Sequence, residues 1–254
     1  MGQWIDLLPE GSLIYGSLDA KTNQAFLKEL VQGNKDLDDV LKRTQRVYYS
    51  INGIKNQAWD YKILLLGDYP SGWVGLYLDW QKSFIKHPGP PAQWQFKNLL
   101  YVYQPENGAI LASPGIIPPQ NLGTRSVVPE QTALAMDSFD LFIYMPHPAQ
   151  VITGAALGAT IPLESLSGYF RTTDQGWSGE AVASLGDERA TRFVTLGIKM
   201  LLGGWAKTTE DPKTQEMWRS IELKQEGLKI IMSNIHIPRS FLITKLQPLL
   251  EENS

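Results

Sequence analysis

Three histidines, His87, His147 and His236, are where metal or acid–base chemistry would first be sought in these 254 residues. They stand too far apart to form HxH, HxxxH or HExxH, and a zinc site needs three or four ligands. The chain has no cysteine, which removes disulfides, thiolate metal sites and cysteine nucleophiles together. No G-x-S-x-G elbow is present for a serine hydrolase. The phosphate loops GxxxxGK[ST] and GxGxxG are missing too, and Gly203-Gly204 falls inside a helical pattern. Carboxylates such as Asp68, Asp79, Glu164 and Glu180 could pair in space, and Asp68, Asp79 and His87 are the candidates for a polar cleft. Their spacing carries no signature, so the sequence nominates no catalytic residue, no metal ligand and no cofactor.

The chemistry that remains is apolar. Eight tryptophans and ten tyrosines combine apolar bodies with polar tips, suited to ligand grooves and membrane interfaces or to an aromatic core. A net charge of -3 gives no reason to expect nucleic acid. No apolar run approaches the length of a membrane-spanning helix. The start, Met1-Gly2-Gln3-Trp4, lacks the apolar stretch of a signal peptide, and Asp6 stands where myristoylation requires Ser or Thr.

The segment from Glu188 to Lys207 has the spacing of a helix. Arg189, Arg192, Thr195 and Lys199 form a narrow cationic stripe, which Lys207 extends. Phe193, Leu196, Met200, Leu201 and Trp205 belong to an apolar arc wider than one buried face needs. Either the helix is packed between two layers, or its outer arc meets lipid or ligand while the cations meet headgroups. Gly197, Gly203 and Gly204 weaken the helix, each by about 1 kcal/mol. Asp211-Pro212 caps a following helix that carries Met217, Trp218 and Ile221. The expected apolar contacts are Phe193, Leu196, Met200, Leu201, Trp205, Met217, Trp218 and Ile221, with Arg189, Arg192 and Lys199 as headgroup contacts.

The elements positioning these residues read as an α+β or mixed α/β fold, a central, mostly antiparallel sheet flanked by amphipathic helices. Strands are expected over 13–18, 61–66, 73–78, 139–145 and 228–237, with hairpins at 96–112 and 166–185. Helices are expected over 26–31, 37–51, 149–157 and 238–250. The 149–157 segment contains Gly154-Ala155-Ala156-Leu157-Gly158, a small-xxx-small pattern that favours close packing. One domain, 1–254, is expected, with pseudo-repeated halves 10–113 and 138–250 joined by a Pro/Gly-rich loop at 114–137.

The helices around Leu37 to Ile51, Arg189 to Trp205 and Met217 to Ile221 resemble those of treponemal outer-membrane-associated lipoproteins with multiple amphipathic helices. The resemblance implies an apolar cavity and a lipid anchor at the periplasmic face of the outer membrane, on a cysteine this sequence lacks. It also implies membrane association with lipid binding, lipid transfer or altered permeability. An envelope assembly factor with a protein partner, and an enzyme without a short motif, are the alternatives.

Overall fold

The computed structural model describes residues 5–30, 35–55, 58–70, 72–89, 92–96, 100–105, 107–117, 128–151 and 162–244. The chain divides into two compact units, Met1–Ser138 and Phe139–Glu252.

In the first unit β1 (Ile14–Asp19), β2 (Thr44–Lys55), β3 (Ala58–Gly67), β4 (Phe84–His87), β5 (Gln93–Phe96), β6 (Leu100–Tyr103) and β7 (Ala109–Ser113) are ordered β1-β2-β3-β7-β6-β5-β4. Helices α1 (Gln24–Leu30), α2 (Lys35–Arg43), α3 (Trp73–Trp80) and α4 (Glu130–Ser138) complete it. The second unit holds β8 (Leu141–Met145), α5 (Pro148–Val151), β9 (Leu163–Thr173), β10 (Gly176–Leu185), α6 (Glu188–Thr208), α7 (Pro212–Ser220), β11 (Glu222–Glu226) and β12 (Lys229–Pro238). Its strand order is β11-β12-β10-β9-β8. Every pairing within each unit is antiparallel.

This corrects the expected α+β / mixed α/β arrangement of a sheet flanked by amphipathic helices. Antiparallel sheet dominates, and among the described residues every helix except α6 is nine residues or shorter. Among the described residues the first unit has seven strands and the second five. Three segments carry the error. The helix expected over 37–51 ends at Arg43, and Thr44 opens the twelve-residue strand β2. Its Val47, Tyr48, Tyr49 and Ile51 are β-branched or aromatic, and the sheet uses them in alternation, with Tyr48 and Ser50 buried. The strand expected at 73–78 is instead α3, where Val74 and Leu78, one helical turn apart, are the buried positions. Its first turn follows Gly72, whose φ of 73° suits glycine. The expected loop at 114–137 contains α4, while the Gly154 to Gly158 pattern lies outside the described residues.

In the first unit Tyr69, Val74, Leu78, Trp94, Val102 and Ile110 form an apolar cluster between α3 and the sheet. The Tyr69 hydroxyl shares a hydrogen bond with Thr44 Oγ1 at 2.5 Å. Burial pushes its pKa up to about 12, and burial drives Tyr48 and Tyr49 upward as well. A raised folded-state pKa leaves stability intact below the ordinary phenol value of about 10 and removes it above. The urea midpoint is therefore expected to hold to pH 10 and fall as pH rises through 12. Tyr69→Phe should blunt that fall, and an unchanged midpoint at pH 12 would contradict it.

Candidate functional site

The second unit presents α6, the longest described helix at 21 residues. Asp187 caps it, its Oδ1 accepting from Ala190 N at 2.7 Å. Thr191, Val194 and Ala206 are buried. Val194 joins Ala183, Leu185 and Ile230 of the sheet, with Ala190, Ile198 and Leu223 packed against them. These positions recur at three- and four-residue spacing, so one stripe of α6 is committed to the sheet.

The rest of the apolar arc faces outward. Phe193 is 65 % exposed, Leu196 58 % and Met200 71 %. At i, i+3 and i+7 they make one row along the helix. Leu201 and Trp205 are exposed beside it. Arg189, Arg192, Lys199 and Lys207 are exposed cations on the same helix. Arg192 reaches Glu188 only at 4.0 Å, both ends solvated, a contact worth little.

Asp211 accepts from Thr214 N at 2.9 Å, and Pro212 occupies the first turn of α7. Met217 is turned inward at 5 % exposure, while Trp218 and Ile221 are half-buried. The indoles of Trp205 and Trp218 meet with centroids 5.0 Å apart and planes tilted by 52°, which ties α7 to α6. Beside them an open cleft of about 230 Å³ is lined by residues of α6, α7 and β11, among them Lys199, Leu202, Trp218, Arg219, Ile221 and Leu223. It is an open groove, not an enclosed chamber.

The structure thus places Phe193, Leu196, Met200, Leu201 and Trp205 on the outside, assigns Met217 to the interior and sets Trp218 and Ile221 at the cleft. Sequence reading missed Leu202, Arg219 and Leu223 as cleft walls. Leu223 sits in β11, whose sequence ELKQE has no apolar alternation to announce a strand. Among the described residues no group of histidine and acid side chains could hold a metal. Of the three polar-cleft candidates, Asp79 is engaged by Lys86 Nζ at 2.8 Å and Trp94 Nε1 at 2.7 Å, which hold its carboxyl below the usual carboxylate range. His87 bonds Gln95 Oε1 at 2.7 Å.

A Cβ built on Gly197, Gly203 or Gly204 would meet nothing within 4 Å, so packing does not require glycine at any of them. Gly203→Ala and Gly204→Ala are each expected to stabilise α6 by about 1 kcal/mol through helix propensity. Urea unfolding checks this, and a lowered midpoint would show that the glycines meet a constraint.

Fold and site together define a class: an antiparallel-sheet protein carrying a helical hairpin with an outward apolar row and flanking cations. No family model matches the chain, and no curated protein does. Among solved structures it is similar to the Treponema pallidum protein TP0453 in crystal forms III, I and IV, with TM-scores of 0.69, 0.67 and 0.67. These alignments cover 96 % of this chain and 97, 96 and 96 % of the others, at 12, 13 and 11 % identity. The likeness concerns the fold. It gives the treponemal resemblance a structural counterpart, while a lipid anchor and a membrane location do not follow from it.

Proposed function

We propose that this chain is a non-catalytic bacterial envelope protein that docks on a lipid surface through the outer face of α6. The observation that carries this reading is the row Phe193, Leu196 and Met200, each more than half exposed, flanked by Arg189, Arg192 and Lys199. An apolar stripe edged by cations fits an interfacial helix, with the stripe at the acyl boundary and the cations at headgroups. Among the described residues no helix is long and apolar enough to cross a membrane. The proposed location is the periplasmic face of the outer membrane, with lipid or a lipid-like ligand as partner. The fold shared with a Treponema pallidum protein supports the envelope assignment.

Vesicle flotation tests the reading. The purified chain is expected to float with phosphatidylglycerol-containing vesicles and, more weakly, with phosphatidylcholine alone. A chain left at the bottom of both gradients overturns it and favours a protein partner for the same face.

A further inference from the structure

Three sides of α6 have different surroundings. Ala190, Val194 and Ile198 pack on the sheet, and Phe193, Leu196 and Met200 face outward. Lys199, Leu202, Gly203 and Ala206 recur at three- and four-residue spacing on a third side, where they wall the cleft shared with α7 and β11. That side lies roughly a quarter turn round the helix from the outward row. An interfacial helix sets its apolar row at the acyl boundary, which leaves a side a quarter turn away at the level of the headgroups.

The cleft receives one cation from each helix, Lys199 from α6 and Arg219 from α7. Between them its walls are apolar, with Leu202, Trp218, Ile221 and Leu223. The backbone that carries Arg219 is fixed from both sides. Met217 is buried at 5 % exposure, Trp218 meets Trp205 with centroids 5.0 Å apart, and Ser220 Oγ donates to Asn234 O at 3.1 Å. Arg219 is therefore presented from a rigid support.

An ammonium and a guanidinium on one apolar groove match a group with several anionic oxygens on a small carbon body. A phosphomonoester fits best, since it carries close to two charges and three acceptor oxygens at neutral pH. The cleft, at about 230 Å³, is smaller than the roughly 300–1,000 Å³ of sites that enclose a drug-sized ligand. That volume suits a headgroup whose acyl chains stay in the bilayer. We propose that this cleft takes the phosphomonoester headgroup of an anionic lipid, with Lys199 and Arg219 on its oxygens and Trp218 against its glycerol. The proposal rests on the reading of α6 as the membrane-docking face and adds to it a choice among anionic lipids.

Flotation of the full chain with three vesicles tests it: phosphatidylcholine alone, and phosphatidylcholine carrying phosphatidylglycerol or phosphatidic acid at matched surface potential. The parent is expected to partition about tenfold more strongly onto phosphatidic acid than onto phosphatidylglycerol. Arg219→Gln should bring that ratio close to one, and Arg219→Lys, which keeps the charge without the fork, should leave it intermediate. The ratio is the readout, because a lost cation weakens general attraction to both anionic vesicles alike. Arg219 is exposed, so the unfolding midpoint of Arg219→Gln should match the parent. A lowered midpoint would assign Arg219 to the fold and overturn its ligand role. Inorganic phosphate, titrated calorimetrically without vesicles, is expected to show no saturable binding. Saturable binding that also abolishes the preference for phosphatidic acid assigns the cleft to free phosphate and overturns the lipid source. A parent that floats with all three vesicles without preference, or an Arg219→Gln ratio equal to the parent's, overturns the headgroup site alone. A parent that floats with none overturns the α6 reading, and this site with it.

Discussion

Replacing Phe193, Leu196 and Met200 together by glutamine is expected to release the protein from vesicles while leaving its unfolding midpoint nearly unchanged. Glutamine is a good helix former, so α6 loses little intrinsic stability. The three side chains are 65, 58 and 71 % exposed in the fold, so their removal forfeits little packing. On a membrane the same surface leaves water. Full burial of such a side chain contributes about 1.5–3 kcal/mol. With roughly two thirds of each still available, the row supplies roughly 3–6 kcal/mol, or about 10²- to 10⁴-fold in partitioning. Charge reversal of Arg189, Arg192 and Lys199 should act differently. Headgroup attraction is worth about 1 kcal/mol per cation on anionic membranes and is screened by salt. The cation variant should therefore lose phosphatidylglycerol vesicles selectively, and the glutamine variant should lose both kinds. A glutamine variant that floats like the parent would falsify the docking role of this face. One that unfolds several kcal/mol earlier would show the row to be packed in the fold.

How legible this was in the sequence depends on how far periodicity alone could decide. α6 was legible from its helical spacing, though not its cap Asp187, and α7 because its cap is chemical: Asp211 accepts from the backbone three residues on, and Pro212 fits a first turn. The β9–β10 hairpin was legible from alternation around Asp174-Gln175-Gly176. The failures lie where two periods coincide. Leu37, Val40, Leu41, Thr44, Val47, Tyr48 and Ile51 satisfy helical spacing, yet from Thr44 onward the residues are strand formers that pair on both sides, with β1 and β3. Trp73 to Trp80 is nearly all apolar, and such a run does not say whether it is helix or strand. Which part of the α6 arc faces out was hidden for another reason. Val194 and Phe193 are adjacent and both apolar, and only the sheet's demand for one stripe buries the first and exposes the second.

Gly179→Ala is expected to be among the most destabilising single changes in the second unit, at about 3 kcal/mol or more. Gly179 lies in β10 between β9 and β12, opposite Phe170 on one side and Ile235 on the other. Just beyond it the pairing with β12 slips, and Asn234 in the bulge adopts a φ of 57°. A Cβ on Gly179 would lie 1.9 Å from Tyr169 O and 2.8 Å from Phe170 Cα. Both are backbone atoms of a paired strand, so no flexible side chain can swing away, and β9 and β10 must separate. That hairpin also bears Trp177 at 1 % exposure, Phe170 at 5 % and Leu185 at 0 %. Leu185 is part of the cluster on which Val194 of α6 rests, so the strain reaches the support of α6. Urea unfolding followed by tryptophan fluorescence checks it, with Gly203→Ala as the opposing control. The first should lower the midpoint and the second raise it. Equal midpoints would mean that the close approach at Gly179 is absent, and with it the tight β9–β10 pairing that fixes the face α6 presents.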